Sequence, residues 1–255
     1  MENNKNQYLF VIRQLTGREI KRKYARSYLG IIWSILNPLM HMAIMSMVFS
    51  YMFKRAIILY PLYFLTGHLF WNLFSHTTTS CMSALMDNRN LLLKSKLPKR
   101  IFIVAKTYTA LVNFGYDCIA YVIILLVFRI PPDVKMLFFF YDLFFSLMFA
   151  MGIGFALSVI YVFFADIRYL YSILLTLWMY LSALFYPVDR LPDFMQTIIG
   201  WNPVYVSIAF ARMCVVYDTM PPLRMWLQLL LFGVNSFIIG YGIFVFFENK
   251  AIEHM

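Results

Sequence analysis

Residues 136–164 read MLFFFYDLFFSLMFAMGIGFALSVIYVFF, and Asp142 is the only charged side chain in this run. A helix of about 20 apolar residues crosses the hydrocarbon core of a bilayer. The run is continuously apolar and does not alternate every second residue, as a strand of a membrane barrel would. It therefore predicts a transmembrane helix.

Further runs along the chain have the same character. The six predicted spans are Gly30–Phe53, Tyr60–Leu85, Ile101–Phe128, Met136–Phe164, Tyr169–Val188 and Met225–Phe247. Of the 255 residues, 62% are hydrophobic and only 13% charged, whereas a soluble domain has about 25% charged residues. We therefore predict an all-α integral membrane protein, with residues 1–29 as a cytoplasmic amphipathic and basic segment and residues 30–255 as one six-helix transmembrane domain.

The basic residues fall mainly on one side of this six-span arrangement. Fifteen of the 22 Lys and Arg residues lie on one side and seven on the other. Because cytoplasmic loops are enriched in Lys and Arg, both termini are predicted to be cytoplasmic. Topology thus accounts for the net charge of +10, and a nucleic-acid-binding surface would need a soluble domain for which the chain has no room.

Before the first span, Tyr8, Val11, Ile12 and Leu15 would share one face of a helix. This pattern predicts a helix lying on the cytoplasmic membrane surface. A basic anchor that only orients the protein is the alternative.

The loop Met86–Arg100, MDNRNLLLKSKLPKR, mixes leucines with five basic residues. Leu93 and Leu97 are four residues apart and would share a helix face. The loop is therefore predicted to hold a short amphipathic element that docks on lipid or on a partner protein.

A tight cytoplasmic connection, YVFFADIRY at 161–169, carries Asp166 and Arg168. It is either a solvated turn or a contact point for a cytoplasmic partner.

The outer segment at 188–224 is too apolar for a loop, and Pro192, Gly200 and Pro203 interrupt it. Two short helices that dip into the outer leaflet fit this pattern best. A seventh span is the alternative.

Two acids lie within predicted spans, Asp117 and Asp142. Intramembrane acids are functional or paired by default. A proton relay is one hypothesis, and a helix–helix hydrogen bond is the other. For Asp142, a position near enough to the outer interface to stay wet is a further alternative.

Small residues recur every four positions, as Ala150, Gly154 and Ser158 and as Gly152 and Ala156, which predicts close helix packing.

The polar run at 76–80, HTTTS, needs helices or water on at least one face, and it is compatible with a pore lining. Aromatic residues make up 19% of the chain, and aromatic rings suit the C–H faces of sugars. The candidates for lining a channel are Phe70, Trp71, Phe74, His76, Thr78, Tyr141, Phe145 and Trp178.

Catalytic motifs are absent from the sequence. It contains no GxxxxGK[ST] phosphate loop, no GxSxG and no HExxH, and its three cysteines show no CxxC spacing. We therefore expect no catalytic, cofactor-binding or metal-binding residues in this chain.

Three segments together resemble the type-2 ABC exporter permeases. They are RQLTGREIKRKYARSYLGIIWSILNP at 13–38, FFADIR at 163–168, where Ala165 replaces the usual arginine, and FYPVDRLPDFMQTIIGWNPVY at 185–205. Length and motifs are similar to the branch that exports O-antigen, teichoic acid and capsule. The resemblance implies a homodimer in the bacterial cytoplasmic membrane, two copies of a separate ABC ATPase that binds ATP and Mg²⁺, and a lipid-linked glycopolymer as substrate.

The resemblance also assigns roles to residues. It places Arg18, Glu19, Lys21 and Tyr24 in a cytoplasmic interface helix. It makes the element at 88–97 a coupling and gate helix against the ATPase, with a second contact at the tight connection; the coupling residues are Arg89, Asn90, Leu93, Lys94, Leu97, Asp166 and Arg168. The outer gate comprises Phe194–Gly200 and Pro203–Val215, with Pro187, Pro192, Trp201, Asn202 and Pro203.

Other functions stay open at this stage. A permease of the same fold could extrude small hydrophobic drugs. A membrane-bound glycan transferase would need a paired acid or base on a surface loop, and a proton-coupled carrier would rest on Asp117.

Overall fold

The computed structural model describes residues 2–25, 27–53, 59–94 and 97–254. Arg26, Lys54, Arg55 and Lys96, which entered the charge sorting, lie outside the described residues. Within these ranges the chain is helical and contains no strand. The helices are α1 (Glu2–Tyr24), α2 (Ile32–Phe53), α3 (Tyr60–Met82), α4 (Ala84–Asp87), α5 (Arg89–Lys94), α6 (Arg100–Val127), α7 (Phe138–Phe163), α8 (Ile167–Leu181), α9 (Asp193–Gly200), α10 (Pro203–Val215) and α11 (Leu223–Glu253), with short 3-10 helices at Val134–Leu137 and Val188–Arg190.

By length and apolarity, four of the described helices can cross a membrane, namely α2, α6, α7 and α11. The pair α9 and α10 passes the same test as a unit but is bent by 93°, which raises the number to five if the pair is one span. The all-helical membrane architecture is therefore confirmed. The predicted number of six spans depends on α3 and α8.

Helix α3 lies at the centre of the bundle, in contact with α2, α6, α7 and α10. Its large side chains are covered, with Phe64 and Phe70 at most 2% exposed. Because neighbouring helices shield it, α3 tolerates polar residues that a lipid-facing helix would not. This explains why it is less apolar than the four helices above.

Glycines bring α7 and α11 into backbone contact. A Cβ on Gly240 would overlap the carbonyl group of Gly152, and a Cβ on Gly152 would overlap the backbone of Ser236. Gly154 faces Cys81 on α3, where an added Cβ would lie 2.6 Å from the Cys81 Cβ. The predicted close packing through small residues is confirmed.

The predicted fifth span, Tyr169–Val188, is wrong in its extent. Helix α8 has 15 residues and ends at Leu181. The chain turns just after it, with Ala183 at a positive φ of 47°. The carbonyl oxygens of Ala183 and Leu184 then accept hydrogen bonds from the buried Arg212, at 3.0 and 2.9 Å. Since these carbonyls are bound outside the helix, the apolar sequence that follows does not extend α8.

Two further predictions need correction. Leu93 and Leu97 do not share a helix face, because Leu93 lies in α5 whereas Leu97, the residue before Pro98, lies outside any helix. Asp142 does not stay wet, because it is 0% exposed. Its Oδ1 lies 2.9 Å from the Ser146 hydroxyl, which in turn lies 2.8 Å from the Ser207 hydroxyl on α10. The hydrogen bond of Asp142 thus lies within α7, and it is Ser146 that contacts α10.

Candidate functional site

A stripe of polar side chains runs along one face of α3. His68, Asn72, His76 and Ser80 recur every four residues, so they lie one above the other on a helix. The Asn72 amide nitrogen lies 3.2 Å from His68 Nε2. This stripe gives the central helix a hydrophilic edge within an apolar bundle.

A second polar stripe faces it from α6. Lys106, Thr109, Asn113 and Asp117 are spaced by three or four residues. Asn72 on α3 donates to Asp117 Oδ2 across the gap at 3.5 Å, a long contact. The two stripes therefore meet at Asp117, and together they line a hydrophilic gap between α3 and α6.

Two cavities fill this gap. The first, of about 410 Å³, is lined by residues that include Glu19, Arg22, Asp87 and Lys106. The second, of about 260 Å³, is lined by Lys23, Tyr24, Trp33, Ser34, Asn37, Asn72, His76, Asn113 and Asp117. Because both are lined by Lys23, His76 and Asn113, they lie side by side, and we name the two together the polar cleft.

Helix α1 forms one wall of the polar cleft by packing along α6. Thr16 lies 3.3 Å from both the Ala105 carbonyl oxygen and the Thr109 hydroxyl. Two turns further along α1, Lys23 donates to Asn113 Oδ1 at 2.9 Å. The predicted N-terminal helix is thus present, and its last turn lies beside the polar stripe of α6.

Lys106 joins three helices at the mouth of the polar cleft. Its ammonium group contacts Glu19 of α1 at 2.5 Å and Asp87 of α4 at 2.8 Å. Its residue exposure is only 8%. Next to it, Arg18 of α1 donates to Asn88 at 2.6 Å. Helix α1 is therefore tied directly to the segment that leads into α5.

The residues assigned to an interface helix are all on α1, but they differ in environment. Arg18 and Glu19 make the contacts just described, whereas Lys21 is exposed. The Tyr24 hydroxyl forms a short hydrogen bond with Ser34 at the start of α2. Two of the four thus connect α1 to α4 and α6, and Tyr24 connects it to α2.

The residues assigned to ATPase coupling lie mostly at the surface. In α5, Arg89, Asn90, Leu93 and Lys94 are exposed, while Leu92 is buried and anchors the helix. Leu97 packs against the cluster of buried side chains that includes Leu92. Asp166 and Arg168 are exposed at the turn between α7 and α8.

Most residues assigned to a channel lining are covered within the chain. Phe70, Trp71, Phe74 and Thr78 are buried. Tyr141, Phe145 and Trp178 are half-buried against the same core. His76 differs, because it is exposed and lines the polar cleft. In this conformation the covered side chains could line a conduit only after helices separate.

The outer-gate residues surround two fixed points. Asn202 caps α10 by accepting from the backbone N–H of Val204 at 3.0 Å, ahead of Pro203 at the first helical position. Its Oδ1 also accepts from Trp178 Nε1 at 2.8 Å, and its amide donates to the Leu181 carbonyl oxygen at 3.0 Å. Asn202 therefore fixes the bend between α9 and α10 to the end of α8.

Arg212 is the second fixed point, and it is 3% exposed. Besides its two contacts to the turn after α8, its Nε donates to the Tyr63 carbonyl oxygen at 3.1 Å. Its guanidinium also lies over the Tyr63 ring, 3.4 Å from the centroid. The other gate residues lie around these points, with Pro187 and Pro192 preceding short helices and Trp201 exposed beneath Arg224.

The family to which the chain belongs follows from comparison with known proteins. The model of the family described as "ABC-2 type transporter" matches residues 11–216. The chain is a member of the ABC-2 transporter family. As in that family, it is a membrane permease with several apolar helices.

Curated ABC-2 relatives cover most of both chains. The O-antigen export system permease protein RfbA of Myxococcus xanthus is 28% identical over 218 residues, 85% of this chain and 84% of the relative. An RfbA of Klebsiella pneumoniae is 23% identical over 240 residues, covering 93% and 92%. The polysialic acid transport protein KpsM of Escherichia coli is 23% identical over 205 residues, covering 78% of each chain.

Three features of this ABC-2 permease escaped the sequence analysis. Lys106 and Arg212 entered the sequence analysis only as two of the 22 basic residues sorted between the two sides, although both are buried. Of the polar stripes, the sequence analysis named only the HTTTS run on α3 and Asp117 on α6. The spacing of His68, Asn72, His76 and Ser80 was the available signal. In the described residues, no group of three or more His, Cys, Asp or Glu side chains could hold a metal ion.

Proposed function

We propose that the chain is the permease subunit of an ATP-driven exporter that moves a lipid-linked glycopolymer across the bacterial cytoplasmic membrane. The observation that carries this proposal is the match to the ABC-2 family over residues 11–216 together with the relatives that it aligns with. Those relatives are named for O-antigen export and for polysialic acid transport, and both cargoes are glycans.

The proposed arrangement has six spans and both termini in the cytoplasm. Helix α3 has 23 residues and is about 35 Å long, enough for a hydrocarbon core of about 30 Å. Helix α8 is about 22 Å long, and we assign the fifth span to α8 together with the turn that Arg212 binds. Helices α9 and α10 then form a re-entrant pair, since a bend of 93° does not suit a simple span.

The proposed energy source is a separate ABC ATPase that binds ATP and Mg²⁺. This chain has no phosphate loop, so hydrolysis must occur on a partner. We assign the contact to the exposed side chains of α5, chiefly Arg89 and Lys94, and to Asp166 and Arg168. Movement of α5 would reach α1 through the contacts of Lys106 with Glu19 and Asp87.

The proposed active form is a homodimer with two ATPase subunits. The helices of one chain are too few to enclose a conduit for a polymer. Helix α8 leaves Leu170, Ile173 and Leu177 more than half exposed, which provides an apolar surface for a second copy. The aromatic candidates would line the conduit after the helices separate.

Deletion and complementation in the source bacterium tests this function. We expect loss of the glycopolymer from the cell surface and its accumulation in the cytoplasm, with restoration by the wild-type chain. The exposed pair Arg89→Glu and Lys94→Glu should fail to restore export although the protein reaches the membrane. If surface glycan is unchanged after deletion and the cells instead become sensitive to hydrophobic drugs, the chain is a drug pump.

A further inference from the structure

The polar cleft is rich in side chains that form hydrogen bonds. Its second cavity combines three amide side chains, Asn37, Asn72 and Asn113, with His76 and Asp117. We propose that the polar cleft is a sugar-binding subsite, which holds a neutral sugar unit of the exported glycan between α1, α2, α3 and α6. This inference rests on the proposed function.

The hydrogen-bonding groups match sugar hydroxyls. An amide side chain offers two donors and an acceptor, and a hydroxyl group both donates and accepts. In the cavity, Asn113 accepts from Lys23 at 2.9 Å and Asn72 reaches Asp117 only at 3.5 Å. The carboxylate of Asp117 thus retains acceptor capacity for a ligand donor.

The charge balance favours a neutral ligand over a phosphate. Besides His76 and Tyr24, the ionisable residues that line the two cavities are three acids and three bases, namely Glu19, Asp87, Asp117, Arg22, Lys23 and Lys106. Lys106 is already neutralised by Glu19 and Asp87. A phosphate placed in the second cavity would meet the Asp117 carboxylate as well as Lys23, whereas a sugar hydroxyl can donate to Asp117.

Aromatic side chains in the second cavity of the polar cleft supply apolar surface as well. Trp33 and Tyr24 line the second cavity, and aromatic rings pack against the C–H faces of a sugar. The first cavity, of about 410 Å³, lies within the range of small-molecule sites, and the second, of about 260 Å³, lies just below it. A site with a few placed polar groups and two aromatic rings therefore fits one or two sugar units.

Photo-crosslinking tests the subsite directly. A p-benzoylphenylalanine is placed at Asn113, or separately at His76, in cells whose partner ATPase cannot hydrolyse ATP, so that the polymer stalls. Tyr108 is the matched control, because it lies on the opposite face of α6 and is 46% exposed. The probe is the cell's own polymer, detected in the adduct by periodate oxidation and hydrazide labelling of vicinal diols.

We expect periodate-sensitive adducts at Asn113 and His76 and not at Tyr108. We also expect Asn113→Ala to reduce export by roughly five- to tenfold through loss of one ligand hydrogen bond. If export depends on the chain but neither cleft position gives a sugar adduct, the subsite is wrong and the export function stands. An adduct that contains lipid phosphate without sugar also overturns the subsite. If deletion leaves surface glycan unchanged, the export function itself fails.

Discussion

Close packing of α7 on α11 allows a graded test with three glycines of one helix. At Gly242 an added Cβ would meet nothing within 4 Å. At Gly233 it would lie 2.8 Å from the Phe145 carbonyl oxygen. At Gly240 it would overlap the carbonyl group of Gly152. A carbon and an oxygen normally approach to about 3.3 Å, so the two tight positions require the helices to move apart.

The expected loss of folding free energy increases with the tightness of the contact. Overpacking costs about 1–3 kcal/mol, and backbone atoms cannot turn away as a flexible side chain can. We expect about 3 kcal/mol for Gly240→Ala and about 1–2 kcal/mol for Gly233→Ala. Gly242→Ala should be neutral or stabilising by up to about 1 kcal/mol, because alanine favours a helix. Three kcal/mol corresponds to a fall of roughly 6–12 °C in Tm for a chain of this length.

Thermal unfolding of the purified chain in one detergent measures the series. The three variants share the same helix and the same chemical change, so a common effect of detergent cancels in their differences. The packing account predicts Tm values in the order Gly242→Ala, Gly233→Ala, Gly240→Ala, from highest to lowest. Equal Tm values at Gly240→Ala and Gly242→Ala would refute the close contact of α11 with Gly152.

Three other perturbations test the polar contacts. Lys106→Met leaves the Glu19 and Asp87 carboxylates without their cation and should destabilise the protein by about 1–3 kcal/mol. Lys106→Arg keeps the charge and should retain most of the stability. Equal Tm values for the two variants would contradict the role of the charge. Arg212→Met removes three hydrogen bonds to carbonyl oxygens and should cost at least about 2 kcal/mol in chemical unfolding. Wild-type stability would contradict the role of Arg212 in holding the turn after α8. A hydrogen bond with Lys135 lowers the pKa of Asp133 below its usual value of 3.8. This contact therefore stabilises the fold above about pH 4, and the stabilisation is lost as the pH falls through the lowered pKa. The Tm difference between wild type and Lys135→Met should shrink below about pH 4, and a difference that grows on acidification would contradict the predicted sign.

Apolar runs predicted much of the fold because a lipid environment leaves helices as the main way to satisfy the backbone. The run at 136–164 became α7 with its ends within a few residues. The prediction failed where backbone carbonyls find a partner outside a helix. Arg212, 28 residues after Leu184, binds the carbonyl at which α8 would otherwise have continued, and no local pattern reveals that contact.

The sequence predicted some residues of the polar cleft but not how they come together. Asp117 and HTTTS stood out because polar groups are costly in lipid. Their association with Lys23 and Asn113 depends on how α1 packs along α6, which local sequence patterns do not specify. Lys106 shows the same limit, since its partners Glu19 and Asp87 come from two other helices.

Co-purification of the chain with an ABC ATPase encoded beside it is the most direct test of the exporter proposal. The account predicts a stable complex whose ATP hydrolysis changes when the permease is present, and in which charge reversal at Arg89 and Lys94 removes that change. If no ATPase binds the chain, or if hydrolysis is the same with and without it, the proposed ATP-driven mechanism is contradicted.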